Sequence, residues 1–227
     1  METYDYLGWY VNADDLLYKR LLEQKIDITK ADQATMQKIL DVHLKNNYVA
    51  LDIGCHYGFF TKFLSTRFQQ IHAFDFPNKI WECFKMNVKN FENNNHITLH
   101  PYGVGETKKQ ITLNDWFDSK SGRGPLANHI DPTREEKNYN IVPIDSLNLN
   151  NCDLMMVDTE GYELKVLEGA KHTISEYRPI VVLEFHPRNL CEKYGYTLKD
   201  LHKYITGMGY RSIGYINKVD QVFVSIA

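Results

Sequence analysis

From Tyr48 onward the chain alternates short apolar runs with stretches in which apolar residues return every three or four positions. The runs at 48–53, 70–75, 96–101, 152–157 and 179–184 read as buried strands, and the helical spacing predicts helices near 58–66, 78–91 and 163–176. Alternation of this kind argues for a mainly parallel sheet with helices on both faces. A further helix near 197–208 ends at Gly207-Met208-Gly209. The last two apolar runs, Tyr210 to Ile216 and Gln221 to Ile226, are joined by Asn217-Lys218-Val219-Asp220 and read as a closing antiparallel hairpin.

Ahead of the strands, Leu16, Leu17, Leu21 and Leu22, then Met36, Ile39, Leu40 and Leu44, carry helical spacing, with Asp32 as the expected N-cap of the second helix. Residues 1–45 are thus expected to form a helical segment acting as a cap, lid or dimer contact, and residues 46–227 the main domain. Tyr4, Tyr6, Trp9 and Tyr10 suit stacking on a sugar face or plain packing, and packing is the commoner use of such rings. The rhythm breaks over 114–140, where Ser119 to Pro125 and Asn128 to Lys137 are rich in glycine and polar residues. Inserted loops of that length work as lids or are bland surface insertions. The expected position beside the strand ends favours a lid.

A chain of 227 residues with 43% hydrophobic content is long enough for one large domain with a full core. Its formal net charge of −3 gives no general attraction to phosphate backbones, so a small, uncharged or polar substrate is expected rather than nucleic acid. The four cysteines, Cys55, Cys83, Cys152 and Cys191, are far apart and read as reduced thiols. No apolar run is long enough to span a bilayer and the first ten residues lack a signal pattern, so a cytoplasmic location is expected.

The most informative stretch is Tyr48-Val-Ala-Leu-Asp52-Ile-Gly54-Cys55-His56-Tyr57-Gly58, in which a strand runs into an acid and a glycine turn. Its D-x-G-x-x-x-G spacing departs from the G-x-G-x-x-G of dinucleotide sites, where backbone must approach a pyrophosphate. A carboxylate at Asp52 repels phosphate and suits an ammonium group. S-adenosylmethionine carries an ammonium and a sulfonium and has no phosphate. Asp75, 23 residues beyond Asp52, ends the second strand where a ribose diol is usually gripped. Gly54, Cys55, His56, Tyr57 and Gly58 are then expected to line the amino-acid end of the cofactor, with adenine near Phe76 and Tyr102-Gly103. Taken singly, such glycines also serve ordinary packing and such acids also cap helices.

Further on, Asp153-Leu-Met-Met-Val-Asp158-Thr-Glu160-Gly-Tyr-Glu163 delivers two acids at a strand end, and Gly161 permits a tight turn into a helix. Asp158 is expected to face the cofactor as well. The following strand ends in Glu184-Phe185-His186-Pro187, whose acid and histidine share a side if the extended geometry persists. A histidine in that place is a natural proton acceptor near neutral pH, with Asp158 or Glu160 orienting it or replacing it and Glu184 behind it. The plainer alternatives are a structural histidine and a helix-capping glutamate. Clustered carboxylates also suit Mg²⁺, but no close aspartate pair supports a dedicated site, and metal dependence is not expected. Zinc spacings and a G-x-S-x-G elbow are absent.

These segments resemble the FkbM-type methyltransferases. The resemblance runs from about Tyr48 to Pro187, through the turn Leu51 to Phe60, Val142-Pro-Ile-Asp-Ser-Leu147, Val157-Asp-Thr-Glu-Gly-Tyr-Glu-Leu-Lys-Val-Leu-Glu-Gly-Ala170 and the strand Pro179 to His186. It implies an α/β class I methyltransferase (Rossmann-like) fold: doubly wound, with a mainly parallel seven-stranded sheet and a C-terminal antiparallel hairpin. It also implies S-adenosylmethionine as cofactor, S-adenosylhomocysteine as product, and O-methylation of sugars or secondary-metabolite hydroxyls. Cys55-His56 stands where members commonly carry Ala-Asn, Asp75-Phe76-Pro77 where they carry Glu-Pro, and Met156 where a lysine is frequent. Methylation of a nucleic-acid base or a protein side chain, or cofactor binding without turnover, are the competing readings; a homodimer is compatible with all of them.

Overall fold

The computed structural model describes residues 2–24, 28–92, 94–114, 136–185, 192 and 194–226. The chain opens on a hairpin, β1 (Thr3–Tyr6) and β2 (Trp9–Asn12), followed by α1 (Leu16–Glu23) and α2 (Ile28–His43). Next come β3 (Val49–Ile53), α3 (Phe59–Ser65), β4 (Gln70–Phe74), α4 (Lys79–Lys89) and β5 (Ile97–His100). The short β6 (Gly103–Val104) pairs in parallel with β8 (Glu136–Val142), which also runs antiparallel to β7 (Lys109–Asn114). A 3-10 turn at Ile144–Leu147 leads to β9 (Leu154–Val157), α5 (Glu163–Glu168), α6 (Lys171–Tyr177), β10 (Ile180–Glu184), α7 (Leu198–Gly207), β11 (Tyr210–Tyr215) and β12 (Asp220–Ser225).

The main sheet has seven strands in the order β11-β12-β10-β9-β3-β4-β5, parallel except where β12 pairs antiparallel with β10 and β11. This is the class I methyltransferase fold. Its strands are buried on both faces because neighbouring residues point into different layers. Leu51, Ile53, Met155, Val157, Val181 and Leu183 pack against α5, α6 and α7. Ala50, Ile71, Leu154, Met156 and Val182 pack on the opposite side with Met36, Leu40, Phe63 and Leu64. From the central β3 the chain first adds β4 on one flank and later β9 on the other. The crevice beyond the carboxyl ends of β3 and β9 is therefore the switch point at which such sheets take ligands.

Three sequence expectations need correction. Residues 3–12 form a hairpin ahead of the helices, and its Tyr6 and Trp9 are buried in a third cluster with Tyr18, Tyr57, Trp81 and Phe84, so packing is their role. Asp32 is not an N-cap: α2 begins at Ile28, and the Asp32 carboxylate instead accepts from the Asn217 amide at 3.1 Å. The single helix expected over 163–176 is two, divided at Gly169, where a Cβ would stand 1.9 Å from the Gly105 carbonyl oxygen. Residues 115–135, and with them the body of the 114–140 loop, lie outside the described residues, as does Cys191. Cys55, Cys83 and Cys152 are buried free thiols.

One side chain ties the N-terminal hairpin to the sheet. Asn87 in α4 accepts from the Tyr10 amide at 2.7 Å and donates to the Tyr10 and Tyr57 carbonyls at 3.1 and 3.0 Å. Its amide thus acts as a surrogate strand for β2, and its own buried polar atoms are satisfied.

Candidate active site

The turn after β3 is shaped by close contact on both sides. Gly54 has φ +86, and a Cβ there would stand 1.8 Å from the Asp158 carbonyl oxygen, so only glycine lets β3 and β9 meet at their ends. The Gly54 and Cys55 amides donate to the Phe74 carbonyl at 2.9 and 3.2 Å, binding the turn to the end of β4. On its far side Gly58 abuts the Phe84 ring. Asp52 is 3% exposed and accepts the Thr61 hydroxyl at 2.5 Å, which fixes the first turn of α3 against β3. Burial pushes its pKa up to about 6 against the lowering effect of that hydrogen bond.

Cys55 points into the core and offers the crevice only its backbone; burial raises its thiol well above the ordinary range. Tyr57 is fully buried and donates to Asp15 at 2.9 Å. The His56 ring meets Tyr57 edge-on at 4.3 Å. Asp75 ends β4 as expected: its oxygens accept from the His56 amide at 2.9 Å and the Phe76 amide at 2.7 Å, and burial still pushes its pKa up to about 6.

Phe76 is only 4% exposed, held by Tyr139 at 4.8 Å and by close approach to Gly103. Its ring is therefore committed to packing against the β6-β8-β7 sheet. Tyr102 is half-buried and shares a hydrogen bond of 2.8 Å with His100, whose second ring nitrogen meets His72 at 2.9 Å. Burial and the neighbouring His72 lower His100 to about 4, so this chain of rings is neutral at physiological pH.

On the other flank of the turn, Asp158 leaves β9 with its amide on the Ile53 carbonyl at 2.9 Å. Its carboxyl is raised well above the usual range, first by burial and then by the charges of Glu184, Asp220, Glu160 and Glu163. Glu160 sits at φ +55 ahead of Gly161. Glu184, 7% exposed, is paired across the backbone with Asp220 of β12, whose own pKa burial pushes up to about 6. The structure therefore brings Asp158, Glu160 and Glu184 to one end of the sheet. His186 lies outside the described residues.

Sequence reasoning gave no role to three residues that build this end, Glu163, Tyr196 and Asp220. Glu163 is buried and gathers the Thr159 amide and hydroxyl at 3.1 Å and the Gly161 amide at 3.0 Å, holding the acidic turn in shape. Tyr196 donates to the Gly161 carbonyl at 2.5 Å from the far side. A carboxylate three residues after Glu160 was visible as a spacing, but its inward direction follows from the tight turn alone. Asp220 came unseen because it opens the last strand, remote in sequence, where the sequence pattern reads as the hairpin connection. Among the described residues, no group of three or more histidine, cysteine, aspartate or glutamate side chains is arranged to hold a metal ion, and no helix is long and apolar enough to cross a membrane.

Residues 52–212 match the family profile of the Methyltransferase FkbM domain. The chain belongs to the FkbM methyltransferase family. An FkbM methyltransferase from Methylobacillus flagellatus KT superposes with a TM-score of 0.55 and 18% identity over 78% of this chain, which spans 43% of that longer protein. An rRNA methylase from Streptococcus thermophilus gives a TM-score of 0.51 at 11% identity, covering 84% of this chain and 93% of its own. A ribosomal protein L11 methylase from Lactobacillus delbrueckii subsp. bulgaricus gives 0.50 at 7%, covering 87% and 77%. At these identities the likeness is one of fold. No curated protein sequence matches the chain significantly. As an FkbM methyltransferase the protein uses S-adenosylmethionine, and its residues fit that cofactor: a turn with no room for a Cβ, an acid at the end of β4, and carboxyls in place of phosphate-binding cations along the crevice.

Proposed function

We propose that this FkbM methyltransferase methylates a hydroxyl of a sugar, glycoconjugate or secondary metabolite, in the cytoplasm. The observation that supports the reading is the raised proton affinity of Asp158, set among the carboxyls that meet at the ends of β9 and β10 beside the glycine turn. When bound, S-adenosylmethionine supplies a methyl that is already electrophilic on its sulfonium. The protein's part is to hold an acceptor oxygen in line at roughly 3 Å and to receive its proton as the new carbon–oxygen bond forms. His186 is assigned as that proton acceptor, with Asp158 and Glu160 orienting it or standing in for it, and Glu184 supporting them from behind.

For the cofactor, Asp75 is assigned to the ribose diol, the backbone of Gly54 to Gly58 and the Asp158 carboxyl to the amino-acid end, and Tyr102-Gly103 to the neighbourhood of the base. Asp52 supports the turn through Thr61. With the Phe76 ring packed under Gly103, its share in holding adenine is limited to its backbone and edge.

The acceptor class is tested by incubating the enzyme with S-adenosylmethionine and a panel of free, nucleotide-linked and lipid-linked sugars, alongside RNA and protein, and weighing the products. A gain of one methylene unit on a sugar is expected; a gain on RNA or protein alone would overturn the reading.

Asp75 also sets a pH dependence. In the ligand-free protein it takes up a proton as pH falls through about 6, and only its ionised form accepts from both ribose hydroxyls. Affinity for S-adenosylhomocysteine is thus expected to be full above that value and to decline below it. Asp52 and Asp220 titrate nearby, so calorimetric pH profiles of wild type and Asp75→Asn should be compared. The variant is expected to bind about ten-fold or more weakly at high pH, where a charged acceptor is lost, and to converge on wild type as pH falls. Parallel profiles would remove Asp75 from the site.

A further inference from the structure

The first turn of α1 is anchored onto the cofactor turn by a buried acid. Asp15 caps the helix, accepting from the Leu17 and Tyr18 amides at 3.0 and 3.3 Å through one oxygen. Its other oxygen takes the Tyr57 hydroxyl at 2.9 Å. This arrangement places Tyr18 over residues 56–59. Its ring meets Tyr57 edge-on at 5.2 Å and lies tilted on Phe59 at 5.4 Å and on His56 at 6.0 Å, with Tyr6 behind it at 5.3 Å.

Tyr18 is 5% exposed, yet among the described residues its hydroxyl makes no hydrogen bond. A phenol ring so nearly buried normally places its hydroxyl against a partner, and the Tyr18 oxygen, which is not sealed in the core with the buried unpartnered atoms, is open to one supplied by a ligand. The neighbours define the kind of ligand. Burial, together with the charges of Asp15, Tyr6, Asp158 and Tyr4, keeps the phenol protonated, so it stands ready to donate. Asp158 borders the same turn, with its carbonyl against Gly54 and its carboxyl near enough for its charge to act on the phenol. A hydrogen-bond donor and a carboxyl flanking one glycine turn match a zwitterion: a carboxylate toward the donor and an ammonium toward the acid.

We propose that Tyr18, from the N-terminal segment, donates its hydroxyl to the carboxylate of the cofactor's amino-acid end, opposite Asp158 on the ammonium. This rests on S-adenosylmethionine being the cofactor. It makes α1 a wall of the cofactor site, and it gives the otherwise unassigned segment before β3 a direct part in binding.

The test is calorimetry on the full chain with two probes. S-adenosylhomocysteine has the amino-acid end; 5′-methylthioadenosine keeps the nucleoside and thioether but lacks both carboxylate and ammonium. Tyr18→Phe retains the ring and its packing. It is expected to weaken S-adenosylhomocysteine by about 10- to 100-fold, the effect of one hydrogen bond to a charged group, while leaving 5′-methylthioadenosine unchanged. Unchanged affinity for S-adenosylhomocysteine would overturn the proposal and turn the hydroxyl toward the acceptor. Equal losses for both probes would overturn it as well, by making Tyr18 a purely structural residue. Wild-type protein that bound neither probe would instead sink the cofactor assignment on which the proposal stands.

Discussion

Gly54→Ala is expected to abolish measurable binding of S-adenosylhomocysteine and to lower the melting temperature by roughly 5 to 20 °C. Two effects add. A non-glycine residue at φ +86 is strained by about 1 to 3 kcal/mol. The new methyl also collides with the Asp158 carbonyl oxygen, which is backbone at the mouth of a packed sheet and cannot rotate away; overpacking of that kind costs about 1 to 3 kcal/mol more. A protein of this size loses roughly 2 to 4 °C per kcal/mol. Gly8→Ala is the matched control, because Gly8 has φ +89 but nothing within 4 Å of an added Cβ. It should show the strain without the collision and leave ligand affinity intact. Thermal melts and calorimetry on the two variants decide the matter: if they behaved alike, the meeting of β3 with β9 at Gly54 would not be what requires glycine there.

The second large effect concerns the proton. His186→Ala is expected to reduce turnover by about 10²- to 10⁴-fold under saturating cofactor, with S-adenosylhomocysteine affinity unchanged, since a hydroxyl reacts poorly when its proton has no destination. Asp158→Asn should differ in kind. On the assignment proposed above it removes an acid shared between the cofactor's ammonium and the proton-accepting group, so both affinity and turnover should fall. Glu160→Gln is expected to lower turnover alone. A chelator added to the wild-type assay should leave the rate unchanged. Near-normal turnover in all three variants would dismiss the acidic end of β9 and β10 as the reacting centre, and loss of activity with chelator alone would recast Asp158 as a metal ligand.

The parts that were legible in the sequence are those in which local pattern and global position agree. β3, β4, β9 and β10 are buried parallel strands, so they appear as apolar runs, and each ends in an acid or a glycine because the crevice begins there. The N-terminal hairpin was not legible. Its two-residue turn is Leu7-Gly8, with Leu7 at φ +52, where an Asn-Gly pair would have announced the geometry. β7 and β8 escaped notice because they pair mostly with each other and keep polar residues such as Lys109, Gln110, Asn138 and Asn140 along a partly solvated ladder. The break between α5 and α6 falls at Gly169, whose close approach to the Gly105 carbonyl is a contact remote in sequence. Within the site, backbone glycines and strand-end acids were readable as spacing. Tyr18 was not, because an aromatic at helical spacing looks like any core residue until its hydroxyl is seen without a partner.

The span recognisable as FkbM, 52–212, is narrower than the unit that folds. β12 lies beyond it, yet it is an interior strand, inserted between β10 and β11. β1, β2 and α1 precede it, yet they cover Tyr57 and satisfy Asn87. A fragment cut at the limits of homology is expected to aggregate on expression, with β10 left as an open hydrophobic edge; a soluble fragment with a cooperative melt would show that expectation to be mistaken. For anyone grafting a new acceptor specificity onto this scaffold, the exchangeable pieces are accordingly set by hydrogen bonds rather than by homology: a transplant that omits the first fifteen residues, or the last strand, takes the recognisable core and leaves its closure behind.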